Sequence, residues 1–383
     1  MSEVVLNDIC ELIVDCPHST AYDEGTGYPL VRTPNIGRGR LIYSGMHRVC
    51  EEVYNKRNAR AIPQTNDLIF AREATAGNVA LIQEGEKVCL GQRTVLIRPN
   101  ANLVNPAFLT YHLLAPEQQY KLLSTANGAT VAHVNMPTIR NLKLSLPPLA
   151  TQHRIATIRS RYDSLIENYQ KQIKLLEEAA QRLYKEWFVD LHFPGHENTN
   201  IIDGVPEGWE KKKVGEIAII SAGGDKPDVV TEEQTTECQV PIYSNGTTKE
   251  GLYGYTNKSS NTAGSITISA RGSIGFACLR MHDYFSIVRL ISIKPQNNVD
   301  LMYLFQFTKV HTFMSNGAAQ QQLTVPMVKA IDVVYPAESL LEAFENVVLP
   351  LYKKVQSLQS QLSLLTEARD RLLPKLMGGE IEI

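Results

Sequence analysis

The segment EEAAQRLYKEWF (177–188) recurs as TEARDRLLPKLM (366–377), 189 residues further along the chain. Four residue pairs coincide within it: Glu178 with Glu367, Ala179 with Ala368, Arg182 with Arg371, and Leu183 with Leu372. The same offset places Gly128 on Gly317, Pro137 on Pro326 and Pro147 on Pro336. This period is far longer than that of a solenoid, so it predicts two whole, pseudo-equivalent halves.

The offset drifts upstream of these matches. Residues 5–9 resemble residues 213–217 at an offset of 208, and residues 70–72 resemble residues 269–271 at an offset of 199. The ends of the halves are therefore in step while their middles differ in length. That pattern is typical of one scaffold that carries two different sets of surface loops.

Composition limits the class of protein. The chain has 383 residues, 43% of them hydrophobic and 20% charged, which indicates two or three globular domains. A formal net charge of -2 excludes a protein that coats nucleic acid through bulk positive charge, although a local basic face stays open. The N-terminus contains neither a signal peptide nor an apolar span, so we predict a cytoplasmic protein.

Metal and cofactor sites are not predicted. The six cysteines include no Cys-x-x-Cys pair and no accompanying histidine cluster, so buried, reduced thiols are expected in place of zinc. Paired glycines such as Gly223-Gly224 are too weak a signal for a cofactor loop.

Each half ends in a long helical pattern, predicted over about 151–188 and about 340–377. Apolar residues recur at steps of three and four, with one polar break in each series, at Arg159 and at Arg369. Such sustained seams predict a coiled coil, with the two helices antiparallel because the chain must return along itself. Pro350 is expected to kink the second helix. The alternative is a plain helical hairpin inside a core.

Short apolar runs and one helix start precede each long helix, as in SITI (265–268) and NPAF (105–108), where Asn105 fits a helix cap. The predicted fold class is therefore α+β, with two pseudo-repeated α+β domains and two long antiparallel coiled-coil helices. Predicted boundaries are 1–150 for the first domain, 151–190 for the first helix, 191–338 for a linker and the second domain, and 339–383 for the second helix and tail.

The chain resembles the specificity subunit of type I restriction-modification systems over nearly its whole length. The resemblance is carried by LPPLATQHRIATI (146–158), RLYKEWFVD (182–190) with FPG (193–195), VPEGW (205–209), ISARGSIG (268–275) and LPKLMGGEIEI (373–383). Each motif is modest alone, but their order and their twofold repetition are specific.

The resemblance implies a function. Each α+β domain would be a target-recognition domain that reads one half of a split, asymmetric site in double-stranded DNA. The helices would act as a ruler between the domains and would dock two methyltransferase subunits, which restriction subunits join. The specificity subunit itself would be non-catalytic and would need no cofactor.

The first candidate DNA face is a basic stretch. Seven cations and two acids lie between Arg32 and Arg60, interleaved with tyrosines, and arginine can bind phosphates or guanine. A solvated basic loop is the alternative. Asn35 and Arg38, beside two glycines, are the better candidates for base reading. The predicted DNA contacts of this half are Arg32, Asn35, Arg38, Arg40, Arg48 and Arg72.

The second half has no basic excess, with 12 Lys and Arg against 14 Asp and Glu over residues 191–336. A polar, glycine-containing stretch at 243–249 aligns loosely with the first basic loop, and base contact and local structure are equally compatible with it. The predicted DNA contacts of this half are Tyr243, Asn245, Lys249, Arg271, Ser273 and Gln320.

The aromatic residues Tyr184, Trp187 and Phe188 are candidates for docking a methyltransferase, because aromatic side chains are enriched at interface hot spots. Equally, they could cap the helical seam or pack on Phe193.

Two other functions remain open. One is a DNA adenine methyltransferase or single-chain restriction enzyme, since NPAF (105–108) resembles the Asn-Pro-Pro-Phe motif of such enzymes; the second proline is absent. The other is a coiled-coil adaptor that does not bind DNA, which leaves two elaborate domains unexplained.

Overall fold

A computed structural model describes residues 2–124, 133–313 and 322–377. In the first half, the strands are β1 (Ser2–Val5), β2 (Cys10–Asp15), β3 (Tyr28–Val31), β4 (His47–Val49), β5 (Leu68–Ala71), β6 (Val79–Leu81), β7 (Cys89–Leu90), β8 (Thr94–Pro99) and β9 (Lys143–Leu146). The helices are α1 (Glu51–Arg57), α2 (Pro106–Leu113), α3 (Pro116–Ser124), α4 (Met136–Arg140) and the long helix α5 (Leu149–Tyr184).

The second half begins with a hairpin and ends in the other long helix. Its strands are β10 (Ile201–Ile202), β11 (Val205–Pro206), β12 (Glu210–Lys213), β13 (Ala218–Ala222), β14 (Val240–Tyr243), β15 (Leu252–Thr256), β16 (Ser265–Ile268), β17 (Ala277–Arg280), β18 (Phe285–Ser286), β19 (Ile291–Pro295) and β20 (Asp332–Tyr335). Its helices are α6 (Val214–Ile217), α7 (Leu301–Val310), α8 (Val325–Lys329) and α9 (Glu338–Met377).

The two halves have the same sheet topology. The first contains a four-stranded sheet of order β2-β8-β5-β6, a three-stranded sheet β4-β3-β7 and a pair β1-β9. The second repeats them as β13-β19-β16-β17, β15-β14-β18 and β12-β20. In both three-stranded sheets one neighbour of the central strand is antiparallel and the other is parallel. The predicted internal repeat of two α+β domains is therefore confirmed.

Backbone hydrogen bonds fix which residues are equivalent. Leu6 N–H donates to Leu142 O, as Val214 N–H donates to Ile331 O, which confirms the offsets of 208 and 189. Val134 N–H donates to Arg72 O, whereas Leu323 N–H donates to Ala270 O. The offset in this region is therefore 198, and the prediction of 199 was wrong by one residue.

Each half presents apolar side chains to its own core. All four residues of β5, and all four of β16, are buried on both faces of their sheets. Phe108, from α2, is fully buried among Leu68, Val95 and Leu144. β5 (LIFA) is a continuous apolar run, which is typical of a strand covered on both sides. In β16 (SITI) Ser265 and Thr267 alternate with isoleucines, but they are buried as well.

The chain forms two compact units, and each unit contains one α+β globule with part of each long helix. One unit comprises Met1–Tyr169 and Gln361–Ile383, and the other comprises Gln170–Ser360. We call the residues before α5 the first globule and those between the long helices the second globule.

The long helices are antiparallel within each unit. In the first unit Ile155 and Ala156 share a core cluster with Leu372 and Leu376. In the second, Ala180 and Tyr184 share one with Phe344, Val348 and Tyr352. The long-helix prediction is confirmed to within a few residues at the described ends. α9 continues through Pro350 as one helix, and α5 is followed by a π-helical turn, Lys185–Val189.

Candidate nucleic-acid interface

The loop that follows β3 is held by the amide of Asn35. This side chain is 2% exposed; its Oδ1 accepts from Arg32 N–H at 3.2 Å and its Nδ2 donates to Ile42 O at 3.1 Å. Arg32 donates through Nη2 to Gly45 O at 3.0 Å. The two side chains therefore shape the loop, and base reading by Asn35 stays a prediction that would need those bonds to be replaced.

Three further arginines of the basic stretch differ in their exposure and in their contacts. Arg38 is exposed and donates to Leu114 O at 3.0 Å; Arg48 is exposed and donates to Gly27 O at 2.8 Å. Arg40 forms an ion pair of 2.6 Å with Glu167 on α5. The loop between β3 and β4 thus presents Arg38 to solvent and contacts the long helix through Arg40, while Arg48 is exposed on β4 itself.

Arg72 lies in a charge-balanced cluster rather than on a free surface. It is 8% exposed, and its guanidinium contacts Asp15 at 2.8 Å, Val134 O at 2.9 Å and His133 Nε2 at 2.8 Å. Glu73 Oε1 contacts His133 Nδ1 at 2.6 Å, and Glu73 Oε2 contacts Arg93 at 2.5 Å. The described contacts of Arg72 are therefore internal.

The equivalent loop of the second globule follows β14 and is also held by an asparagine. Asn245 Nδ2 donates to Val288 O at 2.7 Å, and its Oδ1 accepts from Ala270 N–H at 2.7 Å. Asn245 therefore joins three chain segments, so its amide is engaged in the same way as that of Asn35.

A buried arginine fixes the shape of this loop. Arg280 is 1% exposed and lies 3.5 Å from the ring centre of Tyr243, a cation–π contact. Its guanidinium donates to Glu250 O at 2.7 Å, to Glu250 Oε2 at 3.2 Å and to Thr267 Oγ1 at 3.0 Å. Tyr243 is itself buried and contacts His282 Nε2 at 3.0 Å.

The loop turns through left-handed backbone. Lys249 and Glu250 have φ of 47° and 55°, backbone angles that residues other than glycine rarely adopt. Gly251 follows with φ of 82°, where a Cβ atom would lie 2.3 Å from Ser244 O. Lys249 is exposed on this turn, and the contacts of Arg280 with Glu250 offset the backbone strain.

The turn Arg271–Gly275 is equivalent to Glu73–Gly77. Gly272 and Ala74 have φ of 68° and 59°, and Gly275 and Gly77 have φ of 86° and 88°. Arg271 and Ser273 are exposed, and Arg271 Nη2 donates to Gln322 Oε1 at 2.9 Å. Arg271 is thus the counterpart of Glu73, not of Arg72. Gln320 lies outside the described residues.

Sequence reasoning missed a pair of equivalent arginines. The four-stranded sheets align Asp15 with Ala222 and Val95 with Ile291, so Arg93 and Arg289 correspond at an offset of 196. Both have left-handed backbone, with φ of 63° and 61°. In the sequence, each arginine stands two residues before an equivalent strand position, Val95 or Ile291. That spacing alone does not distinguish these two arginines from the others in the chain.

The aromatic residues at the end of α5 pack inside the second unit. Tyr184 is 4% exposed, and the ring of Phe188 lies 5.0 Å from Phe344 and 4.9 Å from Tyr303. Trp187 lies 5.8 Å from Phe344. Phe193 packs on Trp209 at 5.0 Å. These contacts close the helical seam, and docking of a partner by the three aromatic residues stays a prediction.

Asn105 is a helix cap. Its Oδ1 accepts from Phe108 N–H at 2.9 Å, and Pro106 occupies the first turn of α2. The interpretation as a cap is confirmed. The run Lys211–Lys213 lies in β12, where Lys212 forms an ion pair with Glu210 and Lys213 forms one with Asp332.

Two further features concern thiols and apolar helices. All six cysteines are free; Cys16, Cys89, Cys238 and Cys278 are buried, and Cys50 is exposed. Burial raises the pKa of the Cys89 thiol to about 12.

Within the described parts of the chain, the helices are too short or too polar to cross a membrane.

A family model for the type I restriction modification DNA specificity domain matches residues 1–178 and 206–339. The chain belongs to this family. The two matched segments begin ahead of β1 and ahead of β12, so each includes one of the two repeated sheet systems.

Relatives support the assignment over the full length. The chain is 24% identical to the type I restriction enzyme MjaIX specificity subunit of Methanocaldococcus jannaschii, over 99% of this chain and 93% of the relative. It is 22% identical to the HindI specificity subunit of Haemophilus influenzae, over 75% and 80%. A crystal structure of the type I restriction-modification S subunit from M. genitalium has the same fold, with a TM-score of 0.69, 19% identity and coverage of 98% and 95%.

Proposed function

We propose that this chain is the DNA specificity subunit of a type I restriction-modification complex and that it reads a split, asymmetric site in double-stranded DNA. Each globule would read one half-site. The observation that carries the proposal is the repetition of three sheets with the same strand order in both halves of a chain that belongs to this family. Two equal scaffolds with unlike loops suit two unlike half-sites in opposed orientation.

The loops differ where the scaffolds agree. The loop between β3 and β4 covers residues 32–46 and is rich in arginine, while its equivalent between β14 and β15 covers residues 244–251 and is neutral overall. A difference in both length and charge between equivalent loops means that the two globules present different donors to DNA, and base edges are discriminated by such donors.

Among the predicted contact residues, the exposed ones are the better candidates for DNA contact. We assign phosphate or base contact to Arg38 and Arg48 in the first globule and to Lys249, Arg271 and Ser273 in the second. Arg32, Asn35, Arg40, Arg72, Tyr243 and Asn245 would hold the loops through the bonds described above. This division follows exposure: the members of the first group are exposed, although Arg38, Arg48 and Arg271 each donate one internal hydrogen bond, whereas the members of the second group are buried or half-buried. A buried side chain must lose its internal bonds before it contacts DNA.

We further propose that the long helices dock two methyltransferase subunits, with restriction subunits joining them, and that this chain is non-catalytic. Docking at the end of α5 would use the exposed apolar surface beside the packed aromatic residues. Val189 is 56% exposed and Val310 is 44% exposed there, and they line one groove together with Tyr184. Aromatic and aliphatic surface of this kind is typical of interface anchors.

The first experiment is coexpression with the cognate methyltransferase, followed by mapping of N6-methyladenine. A split motif with two unlike halves and a fixed spacer is the expected result. Methylation of one continuous motif would contradict reading by two globules. A stable complex that leaves DNA unmethylated and binds it without preference over competitor DNA would favour the adaptor function.

The helices are proposed to set the spacer. Both α5 and α9 pass from one compact unit into the other, so four residues inserted into each helix change the length of both connections at once. The expected outcome is a longer spacer between unchanged half-sites. Remapping that returns the original spacer would show that helix length is not the determinant.

A further inference from the structure

The charge-balanced cluster around Arg72 has a counterpart in the second globule that contains no acidic residue. In the first globule the five members are Asp15, Arg72, Glu73, Arg93 and His133. Strand register and backbone hydrogen bonds place on them Ala222, Ala270, Arg271, Arg289 and Gln322, respectively. Two arginines and two carboxylates in one globule therefore correspond to two arginines and no carboxylate in the other.

The two arginines of the second globule lie on segments that one side chain joins. At the equivalent positions of the first globule, Arg93 and Glu73 form an ion pair of 2.5 Å. In the second globule, the amide of Asn245 bonds Val288 and Ala270, the residues that immediately precede Arg289 and Arg271. Arg271 and Arg289 are both exposed residues, and among the described residues neither forms an ion pair with a carboxylate. Arg271 Nη2 donates to the neutral amide of Gln322 at 2.9 Å.

The backbone at Arg289 is strained, and the fold is built around that strain. Val288 and Arg289 have φ of 53° and 61°. Their N–H groups donate to Gly224 O and Gly223 O at 2.9 and 2.8 Å. A Cβ atom at Gly223 would lie 2.6 Å from the Ser286 carbonyl carbon, so only glycine permits this approach. Strained backbone that the surroundings hold in place is characteristic of ligand sites.

We propose that Arg271 and Arg289 together bind a backbone phosphate of the DNA half-site read by the second globule. Two like charges on joined segments repel one another in the free protein, and a phosphate, which accepts several guanidinium hydrogen bonds, offsets that repulsion. The proposal rests on the proposed function and assigns contact residues to it. It also accounts for DNA binding by a globule without a net basic excess, because the positive charge is concentrated at one place.

The test measures DNA binding by the complex with the cognate methyltransferase. The probe is a duplex of about 30 base pairs that contains the mapped site, titrated at several salt concentrations. One neutralised phosphate contributes a slope of about -0.9 to a plot of log K against log salt. The double variant Arg271→Ala/Arg289→Ala should therefore reduce the magnitude of the slope by about 0.9, and each single variant should reduce it by part of that amount. The base preference at both half-sites should stay unchanged.

Two further variants separate binding from folding. Arg289→Gly removes the side chain and relieves the left-handed strain, so it should raise the melting temperature while it weakens binding. Arg93→Ala is the matched control, because it alters the equivalent left-handed residue, whose charge Glu73 already neutralises. Its salt slope should equal that of the wild type.

The outcomes are distinct. Unchanged slopes for Arg271→Ala and Arg289→Ala, an equal loss for Arg93→Ala, or an altered base preference in either arginine variant would each overturn the phosphate assignment. If the wild-type complex itself methylates no split site, the proposed function fails, whatever the variants do.

Discussion

Asp163 Oδ1 lies 3.3 Å from Arg369 Nη1. Arg369 is the polar break in the apolar series of α9, and Asp163 lies one turn after Arg159, the polar break in the series of α5. Arg159 Nη1 lies 3.6 Å from the same oxygen, and the Tyr111 hydroxyl donates to Asp163 Oδ2 at 2.7 Å. At the 189-residue offset, Asp163, Arg369 and Arg159 correspond to Tyr352, Ala180 and Val348, all buried in the second unit. The same position of the repeat is therefore ionic in one unit and apolar in the other.

Removal of Asp163 should destabilise the first unit strongly. In Asp163→Ala two arginines and a tyrosine lose their common acceptor, and an uncompensated buried charge makes a loss of about 3 kcal/mol in the free energy of unfolding the expected result. The triple variant Asp163→Tyr/Arg369→Ala/Arg159→Val, which copies the arrangement of the other unit, should lose less. Urea denaturation measures both. Glu178→Ala, which removes an exposed ion pair with Arg182, should change stability by about 0.5 kcal/mol or less. A triple variant less stable than Asp163→Ala would contradict this account.

Asn105 should matter for stability and not for methylation. Because its side chain caps α2, Asn105→Ala should cost about 1 kcal/mol, whereas Asn105→Asp should retain the cap. Thermal unfolding gives the first quantity and methyl transfer by the assembled complex gives the second. If Asn105→Ala abolished methylation in a complex that remained folded, the enzyme alternative based on NPAF (105–108) would regain support.

Glu345 should make the second unit less stable as the pH rises. Burial, with a smaller effect of the neighbouring Asp300, raises the pKa of Glu345 to about 7, against the opposing effect of Met302 N–H, which donates to Glu345 at 2.9 Å. A carboxyl group with a raised pKa holds its proton more tightly in the folded state. The contribution of this protonated carboxyl group to the free energy of unfolding is therefore fully present below about pH 4.5. It is lost as the pH rises through about 7, which lowers the free energy of unfolding by about 2 kcal/mol.

Glu345→Gln should remove that dependence. The unfolding free energies of wild type and variant should converge at pH 5 and differ at pH 8, with the variant more stable. Glu342→Gln, an exposed position on the same helix, should follow the wild-type curve. Parallel curves for wild type and Glu345→Gln would show that another group dominates between pH 5 and 8.

Arg280 should control how faithfully the second half-site is read. Arg280→Ala frees Glu250, so the strained turn at Lys249 and Glu250 should relax and the bases of one half-site should become degenerate in methylation maps. The first half-site serves as an internal control, because its globule is unaltered. Glu250→Gln keeps the carbonyl contact and should have a smaller effect. Equal loss of fidelity at both half-sites would indicate general unfolding instead of a local role.

The loops explain why candidate site residues were harder to predict than the fold. In the sequence, Asn35 and Asn245 are candidates because each lies in a polar, glycine-containing stretch, but both amides are engaged by backbone groups that lie 7 and 43 residues away along the chain. Arg72 was selected for its charge, although folding brings Asp15 and His133 to it. Arg289 was overlooked because its importance depends on its alignment with Arg93 and on the loss of two acids elsewhere in the chain.

The sequence by itself determined the two halves, the α+β class, the long helices and the family, because these depend on periodic burial and on motifs that are local or repeated at a fixed offset. Only the tertiary structure decided which charges are neutralised. Residues 73 and 271, or 15 and 222, become comparable only after strand pairing fixes their register, and a one-residue error exchanges an arginine for an alanine. Electrostatic environment depends on distance in space, and a single sequence records only distance along the chain.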